Sequence, residues 1–275
     1  MDIWLLGVKY SLTMSKQRTY RSEAIVLRRQ DFGEADRMLT LYSREFGKVR
    51  ALAKGARKPQ TRKTGHVELF MRTNFLFARG RNIDIITQAE LVEAYPAIRE
   101  DLVRTTYASY AVELLDGMTA EGDHDLGKYD LLSKALGWLE KTNDVRLAAR
   151  FYELRLLSLA GFQPQLFRCV SCGEAIEEQD QFFSADLGGL LSPGCRKADP
   201  RALPISAAAV KVLRYLQTRS WETVSILHLR GTLHSELEVV MHHYLHYLLE
   251  RNLRSVDFLY RLRQEAALFS SPKDY

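Results

Sequence analysis

Between Lys48 and Lys63 the chain carries seven cations and no acid in sixteen residues: Lys48, Arg50, Lys54, Arg57, Lys58, Arg62 and Lys63. Guanidinium and ammonium groups at this density favour a polyanion, and phosphate oxygens accept their hydrogen bonds well. Gly55, next to Lys54, lets backbone come close to a phosphate. Arg18, Arg21, Arg28, Arg29 and Arg37 precede the run and extend it. The residues expected to contact phosphate are Arg21, Arg28, Arg37, Lys48, Lys54, Arg57, Lys58, Arg62 and Lys63. A solvated charged loop is the competing reading. The distribution of charge favours a ligand: residues 14–95 hold 17 Lys and Arg against 9 acids, a balance of +8, whereas the whole chain carries +5. A polyanion-binding unit attached to a neutral or acidic one has this asymmetry. Tyr20, Phe32, Tyr42 and Phe46 lie in the same segment, and single-strand binding uses aromatic faces as platforms for bases. Most aromatics of a barrel fill its core, so Phe32, in the turn Asp31-Phe32-Gly33, is the one expected to stay exposed.

Cys169-Val170-Ser171-Cys172 has the spacing of half a zinc site, and Cys195 is the third and last thiol. A second pair would place its final sulfur at position 198, which is Ala198. Cys169, Cys172 and Cys195 are expected to hold a structural zinc, the fourth ligand coming from Asp186, Asp199, a water or a neighbouring molecule. Thiols that merely pack inside a metal-free β insert are the alternative. An odd number of cysteines, two of them this close, argues against a disulfide framework and for a reducing compartment, the cytoplasm.

Other constellations dissolve on inspection. His66-Val67-Glu68 with the later Cys pair imitates the signature of zinc deaminases, but Arg168 stands where the proline belongs and a change of periodicity separates the halves. His242 and His246 are one turn apart, yet Val239, Met241, Tyr244, Leu245 and Leu248 are the pattern of an ordinary packed helix, which leaves the histidines to solvent. There is no GxxxxGK[ST], HExxH, nucleophile elbow or GxGxxG, so a non-catalytic protein is expected. Apolar runs such as Ile3 to Val8 fall far short of the roughly 20 residues that span a bilayer. The N-terminal residues lack a basic n-region and a cleavage site, and Met14 offers an alternative start that would make residues 1–13 an extension.

The elements that must position these residues follow from periodicity. Short alternating runs over Ser22 to Arg29, Arg37 to Tyr42, Lys48 to Lys54, Val67 to Phe77 and Ile83 to Val92 predict five strands, the fourth long enough to bend around a barrel. Five strands in so few residues suit a small oligonucleotide-binding (OB) barrel, with an SH3-like barrel left open. After Pro96 the period becomes helical. Stripes over Ile98 to Leu115, Leu131 to Leu139 and Ala148 to Leu159 predict a bundle, the last helix stopped by Gly161. A β-rich insert with Gly173, Gly188, Gly189 and Gly194 at turns follows, and helices resume after Ser206 as N-cap and again through Glu236 to Arg251. The fold class is α+β and multidomain: an OB-fold barrel at 14–95, a helical bundle at 96–164 and 205–265, and a zinc-ribbon-like β insert at 165–204.

With these pieces in order the chain resembles the RecO family of DNA repair proteins from Tyr20 to Leu262. The resemblance is carried by Ala24-Ile-Val-Leu27, Gly33-Glu34-Ala-Asp36-Arg37, Phe46-Gly47-Lys48 and Ala53-Lys54-Gly55-Ala56-Arg57-Lys58, then by Tyr110-x2-Glu113-Leu114, Arg150-Phe151-x-Glu153, Ala160-Gly161-Phe162-x-Pro164, Cys169-x2-Cys172-Gly173, Gly188-Gly189 and Leu253-Arg254-Ser255-x2-Phe258-Leu259. It implies an OB-fold domain, a helical domain with the insert, and an ATP-independent mediator that binds single- and double-stranded DNA and anneals strands. It further implies RecR, RecF and the single-strand-binding protein as partners, help in loading RecA, and a nucleoid-associated place in the cytoplasm. The family's four-cysteine zinc form is not met at Ala198. A protein-binding adaptor without DNA affinity and a zinc hydrolase are the readings from other classes.

Overall fold

The computed structural model describes residues 18–57 and 64–249, together with the backbone of a short antiparallel pair, β1 (Trp4–Leu5) and β2 (Val8–Lys9). The expected extension at 1–13 otherwise lies outside the described residues, as do Lys58, Arg62, Lys63 and everything after Leu249, including the motif at Leu253 to Leu259.

Five strands close a barrel: β3 (Thr19–Phe32), β4 (Asp36–Ser43), β5 (Gly47–Ala53), β6 (Arg72–Ala78) and β7 (Asp84–Glu93), in the order β3-β4-β5-β7-β6. Every neighbouring pair is antiparallel except β5 with β7, which is parallel over Ala51 to Ala53. This is the Greek-key closure of an OB-fold, and it decides between the two barrels that periodicity left open. The inner wall has the period of two that strands impose: Ala24, Val26, Leu39, Leu41, Ala51, Ala53, Phe75, Phe77 and Ile86 are all buried in one cluster.

The strand that bends is not the one expected. β6 begins at Arg72 instead of Val67, because Phe70 takes a left-handed φ of 69° and donates its amide to the carbonyl of Val26 while Val26 donates to Met71. Val67, Phe70 and Met71 are buried without being strand, so their alternation reports burial alone. β3, at 14 residues, does the bending: it pairs with β6 as far as Ile25 and with β4 from Ala24 on, with a bulge between Val26 and Arg28.

Helices follow: α1 (Pro96–Glu100), α2 (Leu102–Gly117), α3 (Leu126–Lys141) and α4 (Val145–Leu159). The first apolar stripe is two helices, since Asp101 turns extended and caps α2 by accepting from the Arg104 amide. Asp125 and Asp144 cap α3 and α4 in the same way. Gly161, at φ 81°, stops α4 as predicted, with the Phe162 amide reaching back to the Leu157 carbonyl. The insert is a three-stranded sheet of β8 (Gln181–Ser184), β9 (Gly189–Leu191) and β10 (Leu203–Ile205), ordered β10-β8-β9. Then come α5 (Ala207–Thr218), capped by Ser206, α6 (Trp221–Val224) and α7 (Gly231–Leu249).

One apolar core runs through bundle and insert and takes in Ile25, Leu27, Tyr42, Phe70 and Tyr95, the outer face of one side of the barrel. Tyr110, Arg150 and Glu153, which carried part of the resemblance, are buried structural groups: Glu153 accepts from Tyr110 and pairs with Arg150 at 2.5 Å, tying α2 to α4. Among the described residues no helix is long and apolar enough to cross a membrane.

Candidate nucleic-acid interface

Pairing register fixes which side chains share the barrel's outer surface. Across β3, β4 and β5 the rows are Ile25–Tyr42–Lys48, then Arg28–Thr40–Arg50, then Gln30–Met38–Leu52. The first row lies under the bundle and the second is freer of it, because Ile25 and Tyr42 are fully buried while the Arg28 and Arg50 side chains are 53% and 51% exposed. In OB-folds the face of the second and third strands and the adjoining loops hold oligonucleotides, and β4 and β5 are those strands here.

Lys48 departs from its expected role. Its side chain is only 11% exposed, its Nζ pairs with Asp116 Oδ1 at 2.8 Å and donates to the carbonyls of Asp116 and Thr119 at 2.6 and 2.5 Å. It satisfies carbonyls at the end of α2 and joins barrel to bundle, since the row that carries it faces the helices. Arg21 is also separated from the others. It sits toward the opposite end of β3, lining a cavity of about 380 Å³ with Arg44, Glu23, Glu45 and Glu90, where the signs of charge are mixed.

Arg28 pairs with Asp116 of α2, whereas Lys54 and Arg57 lie beside the β3–β4 turn. Gly55 donates its amide to Asp36 Oδ1 at 2.8 Å, the Arg57 amide donates to the Ala35 carbonyl at 2.9 Å, and the Arg57 guanidinium reaches the Gly33 carbonyl and Asp31. These bonds pin the segment after β5 against the turn and leave Lys54 exposed at its edge. Arg29 and Arg37 both grip Glu68, the carboxylate of the discarded His-x-Glu motif, at 2.7 Å in the case of Arg37. Burial, then the like charge of Arg37, pulls the Arg29 guanidinium below its ordinary value, and Arg99 of α1 adds to this.

Two neighbouring cations escaped sequence reasoning. Arg99 lies on a helix that only the fold brings here. Arg81 was read solely as part of a turn, yet with Arg50 it lines a second cleft of about 380 Å³ between β5, the β6–β7 turn and Glu121. Of the four aromatics, Tyr20 stacks on Phe77 at 4.8 Å and bonds Asp84, Tyr42 is buried, and Phe46 packs edge-on against Tyr20. Phe32, 52% exposed beside the anchored Arg57 loop, is the most exposed of the four.

In the insert the sulfurs of Cys169, Cys172 and Cys195 lie within 4.8 Å of one another. A tetrahedral zinc with bonds of about 2.3 Å needs sulfurs roughly 3.8 Å apart, so small side-chain rotations suffice. Burial acts to raise the Cys169 thiol, but amides of Cys172, Ser192 and Ser171 and the Ser192 hydroxyl outweigh it and bring the group down to about 6. Amide donors around a thiolate are the environment a metal-bound sulfur requires. Neither expected carboxylate joins the cluster. Asp186 accepts from the Tyr247 hydroxyl at 2.5 Å, and Asp199 from Ser184 and the Arg201 amide at 2.7 and 2.9 Å. His242 and His246, with rings 6.3 Å apart, belong to no cluster of three candidate ligands.

Comparison with known proteins agrees in both halves of the chain. Residues 14–95 match the family described as Recombination protein O N terminal, and residues 99–257 match Recombination protein O C terminal. A protein of Roseiflexus sp. (strain RS-1) named DNA repair protein RecO is 40% identical over 249 residues, 90% of this chain and 88% of that one. A protein of the same name from Desulforamulus reducens is 40% identical over 247 residues, covering 89% and 95%, and one from Dehalococcoides mccartyi is 31% identical over 246 residues, covering 90% and 97%.

Proposed function

The chain belongs to the RecO family, and from that premise we propose that it is a non-catalytic mediator of recombinational DNA repair. It holds single- and double-stranded DNA on the outer face of β4 and β5 and the turn beside it, and it anneals complementary strands without ATP. The observation that carries this reading is that Arg28, Arg50, Lys54 and Arg57, on or beside β3 to β5 of an OB-fold, keep exposed side chains, with Phe32 exposed at the β3–β4 turn. Lys58, Arg62 and Lys63, which follow Arg57 in sequence, are proposed to contact phosphate as well. The unit at 14–95 is the DNA-holding domain, 96–164 and 205–265 form the helical domain, and 165–204 is an insert stabilised by zinc on Cys169, Cys172 and Cys195. RecR, RecF and the single-strand-binding protein are its partners in the cytoplasm, where it helps load RecA on coated strands.

Nothing among the motifs cradles a nucleotide triphosphate, while a cationic face can screen two phosphate backbones at once. Purified protein is therefore expected to anneal complementary oligonucleotides, followed by fluorescence quenching, at the same rate with and without ATP. A strict requirement for ATP would overturn the reading.

Phe32 supplies a second expectation. A base stacked on an aromatic ring is held by about 1–3 kcal/mol, and a duplex offers no free base face. Phe32→Ala should therefore weaken single-strand binding by roughly 5- to 150-fold and leave duplex binding nearly unchanged in a titration of both. Equal losses for the two ligands would make Phe32 a packing residue.

A further inference from the structure

We infer that the three-cysteine site binds one zinc-type cation whose fourth position is open to solvent and accepts an exogenous sulfur or nitrogen donor, a thiol or an imidazole. This rests on the zinc reading above and goes beyond it, because a four-cysteine structural site is closed whereas an open position makes a ligand-binding one.

The chain contains three cysteines and seven histidines, and all of them fall among the described residues. Only Cys169, Cys172 and Cys195 converge, so neither a fourth thiol nor an imidazole of this chain completes the shell. Asp186 and Asp199, the carboxylates expected as a fourth ligand, are held by Tyr247, Ser184 and the Arg201 amide. The cluster is also lopsided in its burial. Cys169 is 2% exposed and roofed by the Ser192 amide and hydroxyl, Cys195 is half-buried, and Cys172 is exposed. An ion seated on the three sulfurs is thus shielded on the Cys169 side and faces water beside Cys172.

Position 198 explains how the site came to be open. Cys195 and Ala198 belong to one 3₁₀ segment, Pro193–Ala198, and in such a helix residues three apart eclipse one another. Ala198 is exposed, one turn of that segment from Cys195, and its methyl group offers no donor atom. Three thiolates on a divalent cation leave a net charge of −1, and Arg168, Arg196 and Lys197 flank the ligand cysteines, so an anionic thiolate is tolerated at the fourth position.

The test uses the full chain purified without chelators. Elemental analysis should give one zinc per chain, and exchange for cobalt(II) should give tetrahedral d–d bands with sulfur-to-cobalt charge transfer. Adding imidazole or 2-mercaptoethanol should shift the d–d bands saturably, to a single new spectrum for each. Ala198→Cys should raise the charge-transfer intensity by about one third, one thiolate added to three, abolish the response to both ligands and slow metal loss to a chelator. Ala198→Ser should retain the response and so shows that the position tolerates change. Uptake of cobalt with a spectrum that neither ligand moves, in the unaltered chain, would overturn the open site and leave the zinc reading standing. Failure to take up either metal would overturn both.

Discussion

Changing Arg28, Arg50, Lys54 and Arg57 together to alanine is expected to flatten the salt dependence of single-strand binding. Each phosphate contact contributes about 0.7 to the slope of log K against log salt, so four contacts contribute about 2.8. Between 50 and 200 mM salt that difference alone amounts to roughly a 50-fold change in affinity. The four are not equivalent. Lys54 is exposed at the edge of its loop and Arg50 has Glu121 no nearer than 3.8 Å, so both should show the full increment. Arg28 already holds Asp116 and Arg57 already holds Asp31, and exchanging a carboxylate for a phosphate releases fewer counterions. The combined loss of slope should therefore fall between about 1.4 and 2.8. It should be nearly the same for different base sequences, because phosphate contacts carry no sequence information. Arg21→Ala should leave the slope alone, since Arg21 faces a different cavity. Unchanged affinity and slope in a folded quadruple variant would make this face a solvated surface and send the search for the DNA site elsewhere.

Lys48→Met should act in the opposite domain of measurement, on stability. The substitution leaves the Asp116 carboxylate, 5% exposed, and two carbonyls at the end of α2 without their ammonium. Removing one partner of a buried ion pair costs about 3–5 kcal/mol, and Arg28, which also reaches Asp116, should hold the loss to the lower part of that range. For a chain of this size the melting temperature should drop by roughly 6–12 °C. Adding Asp116→Leu should restore much of the loss, since an apolar pair of similar volume often replaces a buried ion pair without penalty. At temperatures where both proteins are folded, the salt slope of DNA binding should be that of the unaltered chain. A stable Lys48→Met protein with its slope reduced by about 0.7 would return Lys48 to the phosphate contacts.

The local features of this protein are legible in its sequence because they are set by neighbours in the chain. Alternation gave five strands, helical stripes gave the bundle, Gly161 and Ser206 marked where helices stop and start, and the cysteine spacing marked the candidate metal site. Charge counting located the basic half. Even the exposure of Phe32 follows from its place in a two-sided turn.

Contacts between residues far apart in sequence decided the rest. Period two states that Lys48 and Arg50 point the same way from β5, but not that α2 ends over one and leaves the other to solvent. Hence a uniform run of cations resolves into a buried strut and a free surface. The parallel pairing of β5 with β7 and the left-handed Phe70 that shortens β6 depend on how the barrel closes, which no local pattern encodes. Arg99 comes near Arg29 because α1 packs back on the barrel through Ile98 and Tyr95. The carboxylates thought able to complete the metal shell are drawn off by Tyr247, Ser184 and the Arg201 amide, partners that tertiary packing supplies. A side chain's type sets what it can bind, and burial and partners determine whether it remains available to do so.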